Sequence, residues 1–332
     1  MSFPFDLYLA SLAGAFLASF LSLPAWRRWC LRTGHVDDPG ARKIHAEPVP
    51  LAGGLAVFTG FLAPIFVGAV FLLLARVTGG LPGFDPAAFE RLEYGFAARR
   101  IELGAILVGV AGMMTLGWLD DRHELSPAAK FTGQFLVALL VAAGGVRITL
   151  FVPSLVFSYT ITVLWIVGVT NALNFLDNMN GLCAGIGTIA AAFFALAAAR
   201  HGQYLVGALA LLGCGAFLGF LPWNYPRASA FLGDAGSHLA GFLLAVLAIL
   251  PTFYSPDRPH TLAVVSPLLV LLVPLADLAS VVWIRTKSGR PPWIGDTNHF
   301  SHRLVRAGFS KPRAVALLWL VALVAGVSAL AL

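Results

Sequence analysis

Asn171, Asn174, Asp177 and Asn180 recur every three residues in the stretch from Asn171 to Leu182, between the apolar runs 159–169 and 184–199. A carboxylate and a set of amides therefore stand at or near the end of a membrane helix. On an α-helix each neighbouring pair shares a face while the row drifts; a 3₁₀ or partly unwound turn aligns all four. A solvated loop explains one Asp and one Gly, but not amides at constant spacing. A charge inside a spanning helix costs about 2.5–3.5 kcal/mol on insertion scales, so polar clusters at such depth mark functional sites by default.

Four further clusters carry the same kind of chemistry. Asp120-Asp121 follow Trp118-Leu119 at a helix C-terminus, the negative end of the macrodipole, where two acids call for a metal or a lysine. A lysine follows: Ser126-Pro127 reads as an N-cap with Pro at the first helical position, and Lys130 and Gln134 then stand one turn apart. In Phe231-Leu232-Gly233-Asp234-Ala235-Gly236-Ser237 two glycines flank an acid just before an apolar run. Backbone N–H groups of a helix start suit a phosphate, and Asp234 suits Mg²⁺, although a plain turn with an N-cap has the same pattern. Upstream, Pro222-Trp223-Asn224-Tyr225-Pro226 is a stiff aromatic turn, fit either to stack a base or to sit in an interfacial aromatic belt. His299-Phe300-Ser301-His302-Arg303 lies in the most basic connection. It lacks a third metal ligand at suitable spacing, so a diphosphate is the better partner than Zn²⁺. Asp37-Asp38-Pro39-Gly40-Ala41-Arg42-Lys43-Ile44-His45 places cations beside glycines, which suits an anionic substrate or lipid headgroup.

The elements that must hold these groups are membrane helices. The 332 residues are 58% hydrophobic and 11% charged, with mean hydropathy +0.83; an ordinary soluble domain has about 25% charged residues. Segments long enough to span about 30 Å run over 5–23, 51–74, 101–119, 131–146, 150–169, 182–199, 205–221, 238–253, 262–283 and 314–332. The expected fold is an all-α polytopic membrane protein of about ten transmembrane helices, a single domain over 1–332, with active-site loops on the cytoplasmic side. The first segment lacks a basic start and a cleavage site and reads as a retained helix. Fifteen of the 22 Lys and Arg fall on one alternating set of connections and seven on the other. The positive-inside rule makes the first set cytoplasmic, with both termini outside. Every cluster above falls on that set. Cys30, Cys183 and Cys214 form no CxxC pair and read as core residues. No internal repeat and no paired broken helices of a transporter are evident. The inventory suits metal-assisted phosphoryl transfer between a lipid phosphate and a soluble diphosphate.

Five ordered motifs, DDPGARKIH...PLAGG, LDDRHELSPAAKFTGQ, NALNFLDNMNGL, FLGDAGS and HFSHRL, resemble the polyprenyl-phosphate N-acetylhexosamine-1-phosphate transferases, a glycosyltransferase 4 family. The family includes the GlcNAc-1-phosphate transferases and the phospho-MurNAc-pentapeptide translocase; HFSHRL is closer to the paired-His motif of the GlcNAc-1-phosphate branch. The resemblance implies transfer of HexNAc-1-phosphate, GlcNAc-1-phosphate first, from a UDP-sugar to undecaprenyl or another polyprenyl phosphate. UMP is released, as the first lipid-linked step of cell-envelope polysaccharide synthesis such as lipopolysaccharide O-antigen. It implies Mg²⁺, with Mn²⁺ as a substitute, held by Asn174 and Asp234. Asp120 and Asp121 face the lipid phosphate, Asp120 as base or positioning group. Lys130 neutralises a phosphate, and His299, His302 and Arg303 the leaving diphosphate. Asn224, Phe231 and Asn180 form the uracil pocket, and Lys43, Asn171 and Gly236 are further substrate contacts. Asp177 is a structural or metal-shell acid, with a covalent nucleophile as the alternative. Where many bacterial relatives have DG-x-DG, this chain has Asn178 for a Gly and Asn180 for an acid, which bears on sugar and nucleotide preference. The implied partners are UDP-HexNAc, polyprenyl phosphate and membrane lipid, with no nucleic acid and a homodimer compatible. The implied location is the inner (plasma) membrane. A MurNAc-pentapeptide substrate, a lipid or nucleotide-sugar transporter and an inactive assembly partner are the competing readings.

Overall fold

Alternating apolar and polar stretches become thirteen α-helices among the described residues, which in the computed structural model are 3–38, 47–78, 86–150, 152–251 and 261–332. In chain order these are α1 (Phe5–Thr33), α2 (Gly53–Thr78), α3 (Pro86–Ala98), α4 (Arg100–His123), α5 (Pro127–Ala143), α6 (Leu155–Leu176), α7 (Leu182–Arg200), α8 (Tyr204–Asn224), α9 (Gly233–Leu247), α10 (Ser266–Val270), α11 (Leu272–Lys287), α12 (Phe300–Arg306) and α13 (Lys311–Ala331). A two-stranded antiparallel ladder pairs Val36–Asp37 with Val49–Pro50.

The all-α polytopic architecture is as expected, but the count of ten spans is not. Among the described residues seven helices are long and apolar enough to cross a membrane, or eight if the stretch Ala263–Val270 and α11, bent by 69° at their break, act as one. The fourth and eighth expected spans are α5, 17 residues, and α9, 15 residues. At 1.5 Å per residue they reach only about 25 and 22 Å, short of a 30 Å hydrocarbon layer. Both also start earlier than hydropathy places them. The polar residues Lys130 and Asp234 stand on their first turns, so the site is built from helix ends rather than free loops.

The short α9 is the centre of the molecule: every residue from Ala235 to Leu247 is buried. α4, α6 and α2 pack around it, while α7 and α8 form a second buried layer against α1. The outward faces carry large apolar side chains, among them Phe66, Leu73, Leu136, Leu164, Leu320 and Val324, as a lipid-facing surface requires. The three cysteines are buried and free. Because successive helices run up and down, the ends bearing polar clusters gather at one end of the bundle: the C-termini of α1, α4, α6, α8 and α11 and the N-termini of α2, α5, α7, α9 and α13.

Candidate functional site

Two backbone contacts seat the first turn of α9. A Cβ at Gly117 of α4 would lie 2.3 Å from the Asp234 carbonyl oxygen, and one at Gly54 of α2 would lie 2.5 Å from the Gly236 nitrogen. Only glycine lets three main chains approach so closely. The unpaired N–H groups of this helix start are met by a neighbouring helix. Asp121 Oδ1 accepts from Asp234 N at 2.7 Å and Asp121 Oδ2 from Ala235 N at 3.0 Å, a charge-favoured N-terminal cap. The expected use of that terminus as a phosphate cradle is therefore corrected in part: the N–H groups of Asp234 and Ala235 are already engaged by Asp121. Gly236 is a packing residue against α2 and does not line the cavity. The adjacent acids have divided, Asp121 to the α9 cap and Asp120 to the ion cluster.

Asp120, Asn174 and Asp234 of the cluster line a cavity of about 1540 Å³. Lys130 pairs with Asp120 and, at 3.3 Å, with Asp234 Oδ2. Asn174 Nδ2 donates to Asp234 Oδ1 at 2.6 Å and to Ser237 Oγ at 2.9 Å. Asp120, only 4% exposed, also accepts from Leu125 N at 2.9 Å. The every-third-residue row is split by the end of α6. Asn171 turns away, donating to Gln134 Oε1 at 2.6 Å and to the Val167 carbonyl, and does not line the cavity. Asn174, Asp177 and Asn180 do line it. Asp177 follows the last residue of α6. Burial, with the carboxylates of Asp234 and Asp121 nearby, raises its carboxyl to about 8.

That shift has a sign. A carboxyl neutral in the fold and ionised in the unfolded chain stabilises fully below the unfolded value of about 3.9, and the contribution is lost as pH rises through about 8. Asp177→Asn is accordingly expected to raise the melting temperature relative to the wild type at pH 9 and to change it least at pH 4, in buffer free of divalent cations. Thermal unfolding of detergent-purified protein measures this; an equal shift at both pH values contradicts it.

The opposite wall is α12 and the connection before it. His302, Asp296, Thr297 and Lys311 line the cavity. Burial, then His299 and Arg306, push His302 below its ordinary value, so near pH 7 it is a neutral imidazole rather than a fixed cation. His299 is buried and does not line the cavity; its Nδ1 meets Asp277 Oδ2 at 2.7 Å. Arg303 faces the other side of α12, over the Phe300 ring and toward Ser280, beside a small apolar groove. The expected diphosphate group of His299, His302 and Arg303 thus reduces to His302, with Lys311 added, because Asp277 holds the His299 ring and Arg303 turns toward Ser280 and Phe300.

Asn224 lines the cavity, but its amide is held by the backbone: Oδ1 accepts from Gly181 N at 2.5 Å and Nδ2 donates to the Ala230 carbonyl at 2.9 Å. It shapes the wall with Tyr225, Pro226 and Phe231. Asn180 reaches the Pro226 carbonyl at 3.4 Å. Lys43 lies outside the described residues. Three groups escaped the sequence reading: Asp277, buried in α11, and the pair Arg285–Asp296. Arg285 grips Asp296 at 3.0 and 3.3 Å and stacks 4.9 Å above Phe175. Burial alone would raise the Asp296 carboxyl, but hydrogen bonds from Arg285 and Asn298 carry it down to about 2. A lone acid within 262–283 was a signal for Asp277. Arg285 was hidden by the many cations around it.

The donors fit a hard divalent ion. Asp234, Asn174 and Asp177 line one cavity with carboxylate and amide groups, and Asn174 touches Asp234. Among the described residues no three His, Cys, Asp or Glu side chains converge as a closed metal site. This donor set suits Mg²⁺, which is usually held by one or two carboxylates and completed by substrate phosphates.

A polytopic helical bundle with an acid–lysine–amide cluster at one end of its helices defines the class of membrane proteins with a polar site at helix ends. Comparison with known proteins narrows that class. The family model described as Glycosyl transferase family 4 matches residues 103–252. A Mycobacterium tuberculosis protein named decaprenyl-phosphate N-acetylglucosaminephosphotransferase is 35% identical, over 95% of this chain and 80% of its own. A Bacillus subtilis protein named "Probable undecaprenyl-phosphate N-acetylglucosaminyl 1-phosphate transferase" is 31% identical, over 96% of this chain and 84% of its own. An Escherichia coli protein named undecaprenyl-phosphate alpha-N-acetylglucosaminyl 1-phosphate transferase is 26% identical, over 96% and 83%. The chain belongs to glycosyl transferase family 4.

Proposed function

We propose that this chain transfers GlcNAc-1-phosphate from UDP-GlcNAc to a polyprenyl phosphate, releasing UMP and leaving a polyprenyl-diphosphate sugar. The observation that carries the reading is Lys130, held between Asp120 and Asp234 with Asn174 alongside, at helix ends where a lipid phosphate and a soluble diphosphate can meet. A lipid phosphate monoester has its second pKa near 6 and is already a nucleophile at cytosolic pH. The protein's task is then orientation and charge compensation. Lys130 brings its cation to the attacking phosphate, and Asp120 and Asp234 fix where that cation points. An oxygen of the lipid phosphate forms a bond to the phosphorus bearing the sugar, and the bridging oxygen departs with UMP. His302 and Lys311 face the departing end, and the Asn224–Phe231 wall shapes the space for its base. Asn174 and Asp234 would hold Mg²⁺ jointly with the diphosphate, and the ion when bound neutralises charge developing on the phosphate oxygens.

The excess of Lys and Arg on the connections at the site's end supports a cytoplasmic orientation of the site in the plasma membrane. Purified protein incubated with Mg²⁺, polyprenyl phosphate and a panel of UDP-sugars tests the reading. UMP release is expected with UDP-GlcNAc, and at least about tenfold less with UDP-MurNAc-pentapeptide. Absence of UMP and of lipid-linked product with every donor overturns it, and uptake of UDP-sugar into liposomes without product would identify a transporter.

A further inference from the structure

Asp277 is 1% exposed, sits within the apolar helix α11, and has no role in the chemistry above. An acid in such a place needs partners, and both of its oxygens find them at the start of α12. Oδ2 meets His299 Nδ1 at 2.7 Å and Oδ1 accepts from Phe300 N at 2.7 Å. One carboxylate therefore caps a helix and holds the ring of the residue before it. From the other side Ser301 Oγ donates to Asn178 Oδ1 at 2.5 Å, while Asn178 Nδ2 donates to the Phe175 carbonyl at 2.8 Å. Seven residues are too few for a self-supporting helix, so α12 keeps its orientation through these ties to α11 and to the α6–α7 turn. The residue it presents to the cavity is His302, whose ring centre lies 6.2 Å from that of His299.

We propose that Asp277 is a positioning residue for the transfer reaction: it fixes the entrance of α12 and the His299 ring, and acts on substrate through His302. An acceptor at Asp277 Oδ2 also selects the His299 tautomer with its proton on Nδ1. Asn at 277 keeps the volume and an oxygen for Phe300 N, but turns an N–H toward His299 Nδ1 and reverses that bond. The proposal rests on the transferase reading, so its test has one arm that needs turnover and one that does not.

In the first arm, UMP release is compared for wild type, Asp277→Asn, His302→Ala and the double variant. Asp277→Asn is expected to lower kcat/KM at least about tenfold, and the double variant to stay within about twofold of His302→Ala alone. Losses that multiply would mean Asp277 acts independently of His302 and would overturn the proposal. In the second arm, hydrogen–deuterium exchange of Asp277→Ala is expected to be at least about tenfold faster over 299–306, with 272–287 as in the wild type. Unchanged exchange over 299–306, faster exchange through α11 as well, or failure of both Asp277 variants to fold would each mark a general packing residue and overturn it. If the wild type makes no UMP, the transferase reading fails while exchange still decides the role of Asp277.

Discussion

Asp234→Ala is expected to lower UMP release by about a thousandfold or more while the protein stays folded in detergent. Asp234 touches Lys130 at 3.3 Å and Asn174 at 2.6 Å and lines the cavity. Removing its carboxylate leaves Lys130 paired with Asp120 alone and takes away an oxygen donor suited to a divalent ion. The fold should survive, because Asp121 caps α9 through the backbone N–H groups of residues 234 and 235, which Ala retains. Asn174→Ala should act in the same direction with a smaller loss, since it removes an amide rather than a charge. Steady-state UMP release beside size-exclusion profiles makes the measurement. A folded Asp234→Ala protein within tenfold of wild type would refute the site assignment.

Lys130→Met should cost both activity and stability, for separable reasons. Activity should fall about a hundredfold or more, the usual scale for losing a charge aimed at a reacting phosphate. Stability should fall because Asp120, 4% exposed, loses its cation, and a buried acid left without its partner is destabilising. Combining Lys130→Met with Asp120→Asn removes the stranded charge, so the melting temperature should recover much of its loss while UMP release stays low. Recovery of both would make Lys130 a structural cation. Recovery of neither would show that the stranded acid is not the source of the lost stability.

Local spacing made much of this site readable from sequence. Asn174 and Asp177 lie three residues apart at a helix end, Ser126-Pro127 reads as a helix start and does cap α5 through Ala129 N at 3.3 Å, and Lys130 stands on the turn that follows. Motif order along the chain brought Asn174 and Asp234, 60 residues apart in sequence, onto one reading, and their side chains touch. What spacing cannot tell is which way a side chain turns when several neighbours compete for it. Asn171 belongs to the same three-residue row, yet Gln134 claims its amide. Asn224 is drawn to the backbone of Gly181 and Ala230, and His299 to an acid 22 residues earlier that hydropathy hides inside an apolar run. The span count was misread for a related reason: hydropathy measures burial from water, and α9 is buried by protein rather than lipid.

The seat of α9 has a bearing on how the chain can change over time. Its first turn rests on main-chain atoms of two other helices, at Gly54 and Gly117, so the backbone that carries Asp234 is held in place by two glycines and by peptide groups rather than by large side chains. Drift among the surrounding side chains can reshape the chamber, and with it the choice of sugar or lipid tail, while the reacting centre stays where it is. New donor preferences can then arise in this scaffold by remodelling the Asn224–Phe231 wall and α12, leaving the interior helices untouched.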